Sequence, residues 1–264
     1  MKKRLDLILF EKGLFQSREK AKAVIMAGCI YVENQKSDKP GILYEENCNV
    51  EVRDNSIPYV SRGGLKFKKA IEVFGIDLKD KVAMDIGAST GGFTDCMLQN
   101  GVKKVYAVDV GYGQLAWILR NDSRVVNMEK TNVRYLNTDL IEEQLDFLSI
   151  DVSFISLCLV LSIGKSLLKE KGKVVCLIKP QFETKRENIG KNGVVRDKKI
   201  HIDVIEKIIK YVVDNGFKVL GLDFSPIKGP KGNIEYLVYL EKSEECMGNQ
   251  FDVKGLVEES HGRL

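Results

Sequence analysis

The chain has 264 residues, of which 44% are hydrophobic and 30% charged, with a formal net charge of +4. That length holds one large domain or a large one plus a small one, and the balance is that of an ordinary globular protein rather than a disordered or fibrous one. No apolar run approaches the roughly 20 residues of a membrane helix, and the start Met-Lys-Lys-Arg-Leu-Asp has no apolar stretch behind it of the kind a secretion signal needs. The expectation is a cytoplasmic protein without a membrane partner. The six cysteines (29, 48, 96, 158, 176 and 246) form no C-x-x-C pair and read as reduced thiols. The two histidines, His201 and His261, have no ligand spacing around them. A metal site and a Ser-His-Asp hydrolase are both disfavoured.

Residues 1–52 read as a compact unit. Leu5, Ile8, Leu9 and Leu14 have helical spacing, and a second helix starts at Ser17, with Ala21, Val24, Ile25 and Met26 on its apolar side and Gly28 as its stop. Short strands follow at 29–32, 42–44 and 50–52, with a Pro40-Gly41 turn between the first two. Residues 1–22 hold seven Lys/Arg against three acids, and residues 23–60 hold three against six. Basic helices carrying Lys3, Arg4, Arg18, Lys20 and Lys22 suit either a phosphate-contacting surface or a solvated amphipathic face. The order Arg4-Leu-Asp, Gly13-Leu, Ser17-Arg18-x-x-Ala21, Ile25-x-x-Gly28-x-Ile30-x-Val32 resembles the S4 RNA-binding domain of ribosomal and RNA-modifying proteins. The resemblance implies that those five cations bind RNA.

Residues 53–61 form a polar, proline-containing linker. The small domain is drawn as 1–58, the connection as 59–63 and the large domain as 64–264. A helix over 64–74 opens the large domain. Strands are then predicted at 82–86, 104–109, 124–128, 146–151, 173–179, 217–224 and 235–240, with helices near 93–100, 114–120, 138–143, 156–168 and 199–214. Such alternation specifies an α/β fold whose mostly parallel sheet is covered on both faces. The connection between the last two strands is too short for a helical crossover, so the final strand should run antiparallel. Seven strands with one reversed define the Rossmann-like class I methyltransferase architecture. A last amphipathic segment, 251–259, reads as a docking helix.

The first strand of that sheet runs into Gly87-Ala-Ser-Thr-Gly91-Gly92-Phe93, a G-x-x-x-G-G turn. It matches neither the dinucleotide fingerprint nor a phosphate loop, and Asp85 at the strand end would repel a pyrophosphate. A nucleoside-like ligand with a positive centre fits better, and S-adenosylmethionine has that chemistry. Asp109 ends the second strand 24 residues after Asp85, where an acid commonly accepts both hydroxyls of a ribose. The expected cofactor set is Asp85, Gly87, Ser89, Thr90, Gly91, Gly92, Phe93 and Asp109.

Four charged residues sit at the ends of apolar elements: Lys66 on the helix before the sheet, Asp151 and Lys179 at strand ends, and Glu235 opening the last strand. A buried strand-terminal lysine is costly unless paired, and two in one pocket oppose each other's charge. An amine so placed can take a proton from a weakly acidic hydroxyl, with two carboxylates to orient the pair. The motifs Val60-Ser-Arg-Gly-Gly-x-Lys66, Asp85-Ile-Gly-Ala-Ser-Thr-Gly-Gly-Phe-Thr-Asp95, Val108-Asp-Val-Gly-Tyr-Gly-Gln-Leu115 and Asp151-Val-Ser-Phe-Ile-Ser156 resemble the TlyA (haemolysin A) family. So do Lys179-Pro-Gln-Phe-Glu183, Gly193-Val-Val-Arg-Asp197 and Ser225-Pro-Ile-x-Gly-Pro-x-Gly-Asn-Ile-Glu235. The resemblance implies an S4 domain joined to an FtsJ-like ribose 2′-O-methyltransferase that uses S-adenosylmethionine on cytidine in ribosomal RNA. It assigns the catalytic tetrad to Lys66, Asp151, Lys179 and Glu235, and the partner to ribosomal subunits. Two other readings are a cytolysin, for which no spanning segment is visible, and an assembly factor without catalysis, against which the complete tetrad speaks.

Overall fold

The structure is a computed structural model that describes residues 2–26, 28–52, 57–243 and 251–264. Residues 53–56 of the expected linker, and Cys246, lie outside the described residues. The chain divides into two compact units, Met1–Pro58 and Tyr59–Leu264.

In the first unit, β1 (Lys2–Arg4) leads into α1 (Leu5–Glu11) and α2 (Arg18–Met26), followed by β2 (Ile30–Val32), β3 (Gln35–Ser37), β4 (Leu43–Glu45) and β5 (Val50–Val52). Strand β2 is the centre of a three-stranded antiparallel sheet between β3 and β5, and β1 pairs with β4. Leu5, Ile8 and Leu9 of α1 meet Ala21 and Ile25 of α2 and Ile30 and Val32 of β2, which is the apolar helical spacing of the sequence turned into a core. Strands β1 and β3 are additional to those expected. Strand β1 is Lys-Lys-Arg and has no apolar alternation to reveal it. The β2–β3 hairpin turns on Glu33 and Asn34, both with left-handed φ (49° and 64°), a pair that lacks the usual glycine signal for such a turn.

The second unit runs α3 (Gly63–Phe74), β6 (Val82–Ile86), α4 (Gly92–Gln99), β7 (Lys104–Val108), α5 (Trp117–Arg120), β8 (Val125–Met128), β9 (Leu145–Ile150), α6 (Leu157–Leu167), β10 (Leu168–Ile178), α7 (Pro180–Glu183), α8 (Lys198–Asp214), β11 (Phe217–Phe224), β12 (Tyr236–Lys242) and α9 (Val253–Arg263). The seven strands form one sheet in the order β11-β12-β10-β9-β6-β7-β8, and β12 alone runs against its neighbours. The helix expected over 138–143 is replaced by two short 3-10 turns, Val133–Tyr135 and Thr138–Leu140. Asn132 and Asn137 each accept a backbone N–H two residues on, a local bond that competes with helix formation.

Alternation along the strands decides what reaches the site. Val82, Met84 and Ile86 of β6, Leu148 and Ile150 of β9, Val174, Cys176 and Ile178 of β10, and Tyr236, Val238 and Leu240 of β12 pack on the α6–α8 side. Ala83, Phe147, Val175, Leu177 and Leu237 face α3 and α4. Continuing the two-residue period past the strand ends puts Asp151, Lys179 and Glu235 on the α3 side. Strand order reverses between β6 and β9, and in open α/β sheets ligands lie outside such a switch point, at the carboxyl ends of the strands.

Asp85 ties this junction together. It is 1% exposed, and its Oδ1 accepts Ser149 Oγ at 2.7 Å, the residue beside it on β9. Oδ2 accepts the Thr94 N–H (3.0 Å) and Thr94 Oγ1 (2.7 Å), capping the first turn of α4. Burial pushes the Asp85 carboxyl up to about 6, against the lowering effect of these hydrogen bonds. A carboxyl that protonates more readily folded than unfolded adds stability that is complete below pH 4 and lost as pH rises towards 6. Asp85→Asn keeps the shape and removes this titration. Wild-type unfolding free energy, measured by urea titration relative to this variant, should therefore fall between pH 4 and 6 by up to about 3 kcal/mol; a pH-independent difference would refute the assignment.

Candidate active site

Helix α3 is amphipathic, and Gly64, Lys66, Phe67 and Ala70 form its buried stripe. The only charged member of that stripe, Lys66, is 7% exposed. Its Nζ lies 2.5 Å from Glu235 Oε2 and 4.0 Å from Asp151 Oδ2. On the other side of Asp151, Lys179 Nζ lies 2.5 Å from Oδ1 and donates to Ser153 Oγ at 3.3 Å. Glu235, Lys66, Asp151 and Lys179 thus form an alternating chain of charges in which Asp151 serves both lysines. Glu235 is 1% exposed, and a Cβ at Gly229 would stand 2.4 Å from its Oε1. The glycine of the Gly-Pro-x-Gly segment leaves room for that carboxylate.

The loop after Asp151 and the segment after Lys179 are clasped to each other. Glu183, at the end of α7, accepts the Leu157 N–H at 2.6 Å and Ser156 Oγ at 2.8 Å, which caps α6. Phe182 packs against Phe154 with ring centroids 5.0 Å apart. Phe154 has φ of +65°, a strained backbone conformation for a bulky residue, and its ring is 86% exposed, three residues after Asp151 and next to Ser153, which accepts from Lys179. Neither Glu183 nor Phe154 was singled out in the sequence, although both lie inside the motifs quoted there.

The glycine loop is placed at the switch point. Gly87 (φ +86°) packs so closely that a Cβ would be 2.5 Å from the Asp151 carbonyl oxygen, and the Asp151 N–H donates to Ile86 O. Asp109 receives the Ser89 N–H at 2.8 Å and the Gly111 N–H at 2.7 Å, one on each carboxylate oxygen. Ser89, with φ of +50°, is exposed beside it, and Thr90 O accepts the Ala116 N–H. Glu129, at the end of β8, receives the Leu115 and Gln114 N–H groups and Arg120 Nη2. Against the opposing effect of burial, those bonds hold its carboxyl down at about 2.

Four members of the expected cofactor set have their side chains or small size committed elsewhere, among them Gly91, which is buried and where a Cβ would be 2.2 Å from Leu119 Cδ1. Asp85 is buried under α4. Phe93 is 3% exposed and packs on Phe67 at 4.9 Å, as core. Gly92 allows helix approach, since a Cβ there would be 2.7 Å from Gly64 N. Open at the loop are Gly87, Ser89, Thr90, Asp109 and, flanking them, Val110 and Tyr112, which are 73% and 72% exposed. Asp109 keeps carboxylate lone pairs free, Ser89 and Thr90 offer hydroxyls, and Val110 and Tyr112 offer exposed surface, the latter with Lys130 Nζ 4.1 Å from its ring centroid; such groups could hold the ribose and adenine of S-adenosylmethionine. Among the described residues, no group of three His, Cys, Asp or Glu side chains is arranged to hold a metal ion.

In the first unit, the five cations expected to meet RNA all have intramolecular partners. Arg4 and Arg18 hydrogen-bond Asp6, which Lys22 approaches at 4.0 Å. Although burial opposes it, these guanidiniums hold the Asp6 carboxyl below its usual range. Lys3 bridges Glu11 and Glu46, and Lys20 donates to Gln16. The free positive charge on this face is smaller than the residue count implies.

Comparison with known proteins agrees with this architecture. Residues 59–242 match the FtsJ-like methyltransferase model, and residues 3–47 match the S4 domain. The Bacillus subtilis protein YqxC is 49% identical over 100% of this chain and 95% of its own. The 16S/23S rRNA (cytidine-2′-O)-methyltransferase TlyA of Mycobacterium tuberculosis is 37% identical over 98% of this chain and 96% of its own. A solved structure of a hemolysin-named protein from Streptococcus thermophilus superposes with a TM-score of 0.79 at 48% identity, covering 99% of this chain and 96% of that one. With a matching model over most of its length and full-length relatives of this similarity, the chain belongs to the FtsJ-like methyltransferase family, in the branch that carries an S4 domain at the N-terminus.

Proposed function

We propose that the protein is a ribosomal RNA ribose 2′-O-methyltransferase that uses S-adenosylmethionine and acts on cytidine in the cytoplasm. The observation that carries this reading is the Glu235–Lys66–Asp151–Lys179 chain at the switch point of a methyltransferase sheet. When bound, S-adenosylmethionine supplies a methyl group on a sulfonium, whose departure leaves a neutral thioether. Asp109 would hold its ribose, and the backbone from Gly87 to Gly91 would follow the rest of the nucleoside.

The substrate's 2′-hydroxyl would approach Lys179. Lys66 is fully matched by Glu235 and also draws on Asp151, so Lys179 has only a share of one carboxylate. Its amine, in the uncharged form, would be the one left to take the hydroxyl proton: the O–H bond would break with the proton passing to Nζ, leaving the 2′-oxygen free for the methyl group that the cofactor would supply. Asp151 then compensates the ammonium formed. Lys66 and Glu235 act by fixing where Asp151 points. Alignment of the oxygen with the methyl group supplies much of the acceleration, and proton removal typically contributes 10²–10⁴-fold. The exposed Phe154 ring offers a face on which the target base can stack beside the reacting ribose. The relatives' name supports cytidine in ribosomal RNA as the target, and the S4 domain supports contact with folded RNA by shape and backbone.

Purified protein should transfer tritiated methyl from S-adenosylmethionine to ribosomal subunits from cells lacking the enzyme, and nuclease digestion should release 2′-O-methylcytidine. Cofactor binding without transfer to any ribosomal RNA would reject the reading. Lys179→Ala should bind S-adenosylmethionine within twofold of wild type by calorimetry yet lose about 10²-fold or more in kcat. Phe154→Ala should lower kcat/KM for RNA by about tenfold, the value of one base stack, and leave cofactor affinity unchanged. Equal RNA kinetics for that variant and wild type would remove the ring from the substrate path.

A further inference from the structure

The basic charge of the molecule is concentrated in two short segments of the second unit. Residues 185–199 and 226–232 contain eight Lys/Arg and two acids, a formal +6, whereas the whole chain carries +4. The remaining residues are therefore net acidic. Of these eight cations, only Lys198 has a carboxylate partner among the described residues, Glu258 on α9. Elsewhere in this unit cations are commonly neutralised: Lys69 by Asp223, Lys104 by Glu142, Arg120 by Glu129 and Lys169 by Asp146.

The two segments are fastened together at their base. Asn233, 3% exposed, accepts the Val195 N–H at 3.0 Å and donates to Gly193 O at 2.9 Å. His201, fully buried, bonds through Nε2 to Val195 O (3.1 Å) and through Nδ1 to Tyr236 OH (2.7 Å). A carbonyl only accepts, so Nε2 carries the proton and Nδ1 receives the tyrosine hydroxyl. Tyr236 OH continues to Ser260 of α9 at 3.1 Å. Both backbone polar groups of Val195 are thus locked by buried side chains, and Arg196 next to it projects into solvent. The Lys231 Nζ is 3.6 Å from where a Gly193 Cβ would stand, so the two cationic segments are in contact. One begins six residues after Lys179 and the other ends three residues before Glu235. Lys198 apart, these are cations without a carboxylate partner among the described residues, mostly exposed and set on a buried polar scaffold, an arrangement that suits a polyanion.

We propose that the Lys191, Arg196, Lys228 and Lys231 edge is a phosphate-binding rim of the catalytic unit itself, which seats the RNA backbone beside the tetrad. This rests on the proposed RNA substrate and adds where the catalytic unit grips it. Because each neutralised phosphate releases condensed counterions, affinity through the rim must depend on salt.

The test uses the full chain with Lys191, Arg196, Lys228 and Lys231 all changed to Gln. A control variant carries the same charge change at Lys79, Lys81, Lys103 and Lys171, near the opposite, amino-terminal edge of the sheet. Binding to protein-free ribosomal RNA is measured over a salt series, and methyl transfer at saturating RNA. The rim variant should lower the slope of log K against log salt by about 2 to 4 and raise KM for RNA at least tenfold, with kcat and S-adenosylmethionine affinity within twofold. The control should keep the wild-type slope. An unchanged slope for the rim variant, or equal losses in both variants, would overturn the proposal. So would an effect seen with intact subunits and absent with protein-free RNA, which would assign the rim to a ribosomal protein. If wild type binds RNA but transfers no methyl group, the proposed reaction fails, while the salt slopes still judge the rim.

Discussion

One carboxylate shared by two lysine side chains is the constraint on which the catalytic unit depends. Asp151 reaches Lys66 and Lys179 from a strand end, and none of the three can be removed from water cheaply on its own. Removing one partner from such a buried pair costs about 3–5 kcal/mol, because the other charge is then stranded. The surrounding fold shows how much is arranged to keep this group in register. Gly87 admits the Asp151 backbone, Glu183 clasps the loop beyond it, Gly229 makes room for Glu235, and the stripe of α3 delivers Lys66. The geometry is therefore specified by four separate elements and fixed by mutual charge.

Much of this was legible in the sequence, for a physical reason. A strand buried on both faces must be apolar throughout, so a charged residue directly after an apolar run marks a strand end, and in a parallel sheet strand ends converge. Asp151 and Lys179 were readable in this way, Glu235 as the charge that opens the last strand, and the reversal of that strand from the shortness of its connection. Lys66 was readable as one of three lysines on its helix, with Lys68 and Lys69, but its place on the buried stripe comes from packing against the sheet. Glu183 was hidden because a carboxylate that caps another helix leaves no periodic trace. Strands β1 and β3 were hidden because three polar residues are held there by register alone.

The glycine loop shows a different limit. Glycine spacing correctly marked a tight strand-to-helix turn, yet the sequence could not say what each glycine accommodates. Gly87 makes space for Asp151, Gly91 for Leu119 and Leu115, and Gly92 for α3. Close backbone approach is a demand that ligands and neighbouring chain segments make alike. Asp85 had the same ambiguity between ligand and scaffold, and burial decides it: a carboxyl 1% exposed and committed to Ser149 and Thr94 organises the loop from beneath.

Lysine and arginine serve two opposite purposes in this chain, and burial separates them. Lys66 and Lys179 are enclosed and matched by carboxylates, so their charge is set by neighbours and is little screened by salt. The cations at 185–199 and 226–232 are mostly exposed and unmatched, so their effect is diffuse and salt-sensitive. Arg4 and Arg18 in the first unit fall between, partly exposed yet held by the buried Asp6. Net charge alone hides this division: +4 over the chain is unremarkable, but it is the residue of an acidic body and a +6 edge. A partner that reads that edge need not respond to the overall charge at all, because within a Debye length of about 8 Å at physiological ionic strength only the local cations are felt.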